Sequence, residues 1–185
     1  MAGIKHTSKT LNNTLLFIIK LLNDNKIKNW FIAYGTLLGI IRDNSCIEGD
    51  DDVDIIIDIS NYRKLLKILH KNKILINKSV VRHLIKFSHK PYVPHLIKTC
   101  GTKNYSSIDF YMADVFDKEG NFYDKWEKVL WSCCYNSEYS LIEYIWNNNK
   151  LYLPFNYKQK LINRYGKTWT IPLDTKGVKP KKRKL

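Results

Sequence analysis

No apolar run in this chain is long enough to cross a bilayer. The longest, Leu15-Leu-Phe-Ile-Ile, is cut off by Lys20, far short of the roughly 20 residues that a spanning helix needs. Met1-Ala-Gly-Ile-Lys-His is not followed by a signal-type apolar stretch. Cysteine is scarce: Cys46, Cys100, Cys133 and Cys134 show no C-x-x-C spacing and no His at a zinc-finger interval, which argues against a zinc module. Adjacent Cys133 and Cys134 are poor partners for each other, so the expectation is reduced thiols in a cytoplasmic protein. Repeats, low-complexity tracts and internal linkers are also missing. The 185 residues therefore read as a single domain over 1–178, large enough for a core that needs no staples. A basic tail follows over 179–185, and its Lys179-Pro-Lys-Lys-Arg-Lys184 is read as a solvated terminus.

Acidic residues are few as well, 17 against 31 Lys and Arg, for a net charge of +14. Such a field concentrates anionic ligands, including nucleotides, polyphosphates, acidic glycans and nucleic acid, without discriminating among them. The richness in Ile, Lys and Asn is that of AT-rich coding, which accounts for part of the basicity. Against this scarcity, Asp50, Asp51, Asp52 and Asp54 crowd into five positions. They repel one another unless a hard divalent cation or a ring of Lys/Arg sits among them. Side chains alternate along a strand, so Asp52 and Asp54 share one face about 7 Å apart while Val53, Ile55 and Ile57 take the other. Two such carboxylates can converge on Mg²⁺ or Mn²⁺.

Upstream, Phe31-Ile-Ala reads as a buried strand, and Gly35-Thr36 as a turn opening a short helix, Leu37–Arg42. Exposed N–H groups at a helix start bind anions, and glycine permits close approach of a phosphate. Thr36 can donate to that phosphate or cap the helix. Arg42 can reach a phosphate or bridge to Asp50 or Asp51. A phosphate cradle within twenty residues of a metal-binding strand resembles the layout of the nucleotidyltransferase (polymerase-beta-like) superfamily, and that resemblance implies a third carboxylate from a later strand. Ser106–Val115 reads as that strand, with Asp109 interrupting apolar positions. A buried unpaired acid is costly, so Asp109 is preferred over Asp114, which sits at the strand's end. Asp58 has the phase of Asp54 but lies about 13 Å further along and is read as a strand-end residue.

Tyr34-Gly-Thr-Leu-Leu-Gly-Ile-Ile-Arg42, preceded by an amphipathic helix and followed by Asp50-Asp-Asp-Val-Asp54, resembles the LicD/fukutin family pattern of YGTLLGxxR and DDDxD. Leu153-Pro through Tyr165-Gly-Lys-Thr-Trp169 resembles the family's proline-led segment, helix and Tyr-Gly-x-x-Trp ending. The likeness covers most of residues 10–172. It departs where the family carries Pro-Trp before its acidic cluster and this chain has Glu48-Gly49. The resemblance implies an α/β (α+β) nucleotidyltransferase fold, a short mixed sheet flanked by helices. It implies a Mg-dependent transferase that moves a phosphoalcohol, such as phosphocholine or ribitol phosphate, from a CDP-activated donor to a glycan hydroxyl. Asp52, Asp54 and Asp109 would be catalytic and metal-binding, with Asp50 a further candidate ligand, and Gly35, Thr36 and Arg42 would hold the nucleotide's phosphates. Two other readings stay open: addition of NMP to RNA or a small molecule, and a catalytically inactive basic binding module.

Among the remaining elements, a helix is expected over 8–24 and strands over Ile27–Ala33 and Asp52–Ile59. Ser60 should cap a helix over Asn61–His70. Strands follow at Val80–Phe87 and Leu96–Cys100, then a helix over Ser137–Asn147 and a last helix, 157–165, between Asn156 as cap and Gly166 as αL terminator. Lys86, Lys90 and Lys98 precede Asp109 and are candidates for donor-phosphate contacts, while His83, His89 and His95 carry no assigned role.

Overall fold

A computed structural model describes residues 4–77 and 94–172. Val80–Phe87, Lys86, Lys90, His83, His89 and the basic tail lie outside the described residues. Helix α1 (Ser8–Asp24) has the expected bounds and buries Leu11, Leu15, Ile18, Ile19 and Leu22, the stripe that a 3.6-residue period puts on one face. Strand β1 (Trp30–Ile32) is shorter than expected because Lys26 and Asn29 take positive φ, 51° and 54°, and break the extended run. Helix α2 spans Tyr34–Asp43, strand β2 Asp52–Asp58 and helix α3 Tyr62–Lys71. Then come β3 (Leu96–Lys98), β4 (Ser107–Phe116), β5 (Asn121–Asp124) and β6 (Val129–Trp131).

These strands form one mixed six-stranded sheet in the order β1-β2-β4-β5-β6, with β3 pairing to β4. Only β2 and β4 run parallel, and parallel neighbours need a long crossover. Here that crossover contains α3. Strand β4 is the axis of the sheet. Its first half lies between β2 and β3, and its second half pairs with β5. The apolar core is built on Val53, Ile55 and Ile57 of β2 with Ile108, Phe110 and Met112 of β4. Helix α1 packs against β2.

The expected helix over Ser137–Asn147 is instead a hairpin, β7 (Ile142–Trp146) and β8 (Asn149–Leu153). Asn147 and Asn148 take φ of 46° and 59°, the paired left-handed residues of a two-residue hairpin turn. Trp146 is buried beside exposed Ile145, a period-two pattern that a helix cannot satisfy. The hairpin docks through Tyr152, whose ring meets Trp30 edge-on at 5.1 Å. Helix α4 (Tyr157–Tyr165) has the expected bounds but not the expected caps. Asn156 sits at φ 56° and makes no side-chain cap bond, while Gly166 has φ 92° and ψ 174°, outside the αL region. Ser60 does not cap α3 either. Asp58 accepts from the Ser60 N–H at 2.8 Å and starts a 3₁₀ turn, Ile59–Asn61, which confirms Asp58 as a strand-end residue.

Candidate active site

Register brings the acids together. In the β2–β4 pair Asp54 stands directly opposite Asp109, and in the β3–β4 pair Lys98 stands opposite Asp109. Directly opposed residues share a face of the sheet, and Asp52 joins them two positions before Asp54. Asp54 and Asp109 are each only 6 % exposed. Lys98 Nζ donates to Asp52 Oδ2 at 2.7 Å and to Asp109 Oδ2 at 3.0 Å, and lies 2.9 Å from Asp109 Oδ1.

The fourth side of the site is the start of α2. This helix begins at Tyr34 (φ 46°), earlier than the expected Leu37, so Gly35 and Thr36 form its first turn. The Gly35 N–H donates to Asp54 Oδ2 at 3.0 Å, and the buried Thr36 hydroxyl accepts from the Asp54 N–H at 2.9 Å. An anion does sit at this helix start, and it is the Asp54 carboxylate. A Cβ on Gly35 would come within 2.6 Å of Asp50 Oδ2 and 3.4 Å of Asp54 Oδ2. Glycine therefore lets two carboxylates close over the backbone. The loop carrying Asp50 is pinned from the N-terminal side: the His6 N–H donates to the Asp50 carbonyl at 2.9 Å, and the Ser8 N–H to Glu48 Oε2 at 2.7 Å.

An aromatic wall completes the site. The Tyr111 hydroxyl donates to Asp54 Oδ1 at 3.1 Å, and the Tyr34 ring packs on Tyr111 at 4.8 Å. Tyr34 in turn donates to Asp124 Oδ2 at 2.5 Å, and the Arg164 guanidinium of α4 lies 4.3 Å above its ring. Arg42 is elsewhere. It forks onto Asp43, Nε at 2.9 Å and Nη2 at 2.7 Å, at the opposite end of α2, about 10 Å along the axis from Gly35. Its partner is neither Asp50 nor Asp51. Asp114 pairs with Lys125 at 2.5 Å and is half exposed, so Asp109 is the acid that β4 brings to the cluster. Lys98 was legible only as a basic residue before Asp109; its place follows from antiparallel pairing of β3 with β4. Tyr111 and Arg164 carried no signal that separated them from packing residues.

Burial pushes the Asp109 carboxyl up to about 7, with the neighbouring Asp52 charge adding and Lys98 opposing. Burial likewise lifts Asp50 to about 6. Asp54 is raised well above the carboxylate range, by burial first and then by the charges of Asp52, Asp50 and Asp109. Burial alone would lower the Lys98 ammonium, but Asp52 and Asp109 outweigh it and hold it raised. The donor set is all carboxylate oxygen, the chemistry hard divalent cations take. Asp50, Asp51 and Asp52 each offer an oxygen within 4.8 Å of the others, and the buried Asp109 Oδ1 has only the ion-pair contact with Lys98 at 2.9 Å. The residues fit a divalent ion.

A pH dependence follows. Acids with raised folded-state values hold protons more tightly folded than unfolded, so their stabilisation is present below about pH 4 and is lost as pH rises through 6 to 7. The metal-free protein should melt at a lower temperature at pH 8 than at pH 5. Mg²⁺ should restore the difference mainly at pH 8, and Asp109→Asn should flatten the profile. A scanning calorimetry series across that range reads all three, and a profile that stays flat in the native chain would sink the account.

The model of the LicD/FKTN/FKRP nucleotidyltransferase domain matches residues 28–138. The chain belongs to this family. The LicD match takes in Gly35, Thr36, all five aspartates of the cluster and Lys98, and ends before the β7–β8 hairpin and α4. No curated protein matches the chain significantly. Among solved structures, the lincosamide antibiotic adenylyltransferase LnuA, in its lincomycin-bound form, is similar with a TM-score of 0.55. The likeness covers 83 % of this chain and 85 % of that one at 13 % identity. It shows that this LicD-family chain has a nucleotidyltransferase fold. Family and fold together support a transferase of the LicD kind. Among the described residues, no helix is long and apolar enough to cross a membrane.

Proposed function

We propose that the protein transfers a phosphoalcohol, such as phosphocholine or ribitol phosphate, from a CDP-activated donor to a hydroxyl of a glycan. Asp52 and Asp54, with Asp50 and Asp109 beside them, would hold Mg²⁺ or Mn²⁺. That ion would offset the charge of the donor's phosphates. Gly35 and Thr36 bind β2 to the start of α2 and thereby hold Asp54 still, with the donor phosphates lying over that first turn. Asp109, raised to about 7, is in the range suited to a general base. It would either complete the metal site or take the proton from the acceptor hydroxyl. The acceptor oxygen bonds to the phosphorus that carries the alcohol, the bond from that phosphorus to the CMP oxygen breaks, and CMP leaves.

The observation that carries this reading is the opposition of Asp54 and Asp109 across two parallel strands, with Asp50 and Asp54 closing on Gly35. The test is CMP release with Mg²⁺ from CDP-choline and CDP-ribitol in the presence of glycan acceptors. UDP-sugars, and CTP or ATP with RNA, serve as controls. CMP from a CDP-alcohol and nothing from the controls is the expected result. Incorporation of labelled NMP into RNA would put the polynucleotide reading first.

A further inference from the structure

We infer that Lys98 is the counter-cation of the Asp52–Asp109 carboxylate pair, and that it leaves these carboxylates for a donor phosphate when a divalent ion binds them. The inference rests on the metal-dependent reading above and adds to it a residue with two places.

The geometry shows the first place. The Lys98 ammonium bonds Asp52 at 2.7 Å and Asp109 at 3.0 Å, so one charge bridges carboxylates from two different strands. A divalent cation drawn to the same two carboxylates meets a positive charge already bonded to them. The two cations cannot share those oxygens without strong repulsion in so buried a setting.

The fold then decides which of them can move. Asp52 and Asp109 are fixed by the β2–β4 ladder, their side chains 13 % and 9 % exposed. The Lys98 side chain is 25 % exposed, and its flexible four-carbon stem lets the ammonium swing while the backbone stays paired to Asp109. Its second place follows from charge. Once displaced, the ammonium needs an anion nearby, and the donor's diphosphate arrives with the metal at this site. Among the described residues, Arg42 is held by Asp43 and Lys125 by Asp114, and the Arg164 guanidinium is stacked on the Tyr34 ring, whereas Lys98 is bonded directly to the carboxylates that a divalent ion would take. The ordering that results is metal with nucleotide, since metal alone leaves the ammonium without a partner.

Two measurements test this at pH 8. The first is Mn²⁺ affinity without nucleotide, by calorimetry, for the native chain, Lys98→Met and Lys98→Arg. The Met variant should bind Mn²⁺ at least about tenfold more tightly, the scale of a close ion-pair coupling, while the Arg variant stays near the native value. With Mn²⁺ saturating, the Met variant should bind CDP, the probe for the donor diphosphate, about tenfold more weakly. The second uses the native protein alone: acylation of Lys98 by an amine-reactive ester, read by peptide mass spectrometry. Labelling should be slow without metal, faster with Mn²⁺, and slow again with Mn²⁺ and CDP together. This readout stands even if Lys98→Met fails to fold.

Equal Mn²⁺ affinity in the native and Met proteins, or labelling indifferent to bound Mn²⁺, overturns the inference and leaves the proposed reaction standing. No Mn²⁺ binding by any of the proteins, with or without CDP, overturns both.

Discussion

Asp54→Asn is expected to lower turnover by about a thousandfold or more while leaving the melting temperature unchanged or higher. The size follows from removing a charged metal ligand, a matter of several kcal/mol at the transition state, with each 1.36 kcal/mol a factor of ten. The stability follows from the local bonds. Asp54 is buried among Asp50, Asp52 and Asp109, whose charges raise its carboxyl further, so neutralising it relieves repulsion. An asparagine can keep both contacts: its oxygen accepts from the Gly35 N–H, and its amide donates to the Tyr111 hydroxyl, which rotates to accept. Asp54→Ala cannot keep either and should lose stability, since each buried group left unpaired costs about 1–3 kcal/mol. Steady-state CMP release and thermal melts on the two variants separate these effects. A melting temperature that collapses for Asn as well as Ala would mark the cluster as structural.

Gly35→Ala should cost about a hundredfold in turnover with little loss of stability. In an ordinary helix the change favours folding by up to about 1 kcal/mol. Here the added Cβ would stand 2.6 Å from Asp50 Oδ2 and 3.4 Å from Asp54 Oδ2, so the acids or the helix start must shift. A shift near 1 Å at a reacting centre is enough for a loss of that order. Mn²⁺ affinity should fall in parallel, because the displaced groups are the proposed ligands. If Gly35→Ala turned over normally, Asp50 would be free to swing aside, and only Asp52, Asp54 and Asp109 would remain as ligands. Asp50→Asn would then also be silent.

Much of the fold was legible from local pattern. The period of Leu11, Leu15, Ile18, Ile19 and Leu22 marks α1 to its observed ends, because a helix buries a stripe wherever it packs. The alternation from Asp52 to Asp58 and the apolar run through Asp109 mark β2 and β4 for the same kind of reason. The β7–β8 hairpin replaces the helix expected over Ser137–Asn147 because Asn147 and Asn148 take left-handed angles that close a two-residue turn, a backbone choice that residue type does not dictate. The caps expected at Asn156 and Ser60 do not form, because capping depends on backbone angles that residue type only favours.

The site divides along the same line. Residue types and short spacing were enough to single out Asp52, Asp54 and Asp109 and the glycine turn before them, since a dense group of acids in a basic chain needs a chemical reason. Spacing along the chain says nothing about pairing between strands distant in sequence. The opposition of Asp54 and Asp109, the placing of Lys98 between Asp52 and Asp109, and the turning of Arg42 onto Asp43 were decided by the sheet register and by the direction of α2. Those contacts span 11 to 55 residues of chain at the cluster, and only hydrogen-bonded ladders convert such separations into ångströms. The helix start that local chemistry marked as an anion site holds one of the protein's own carboxylates, because β1 and β2 lie side by side and bring Asp54 to the Gly35 N–H.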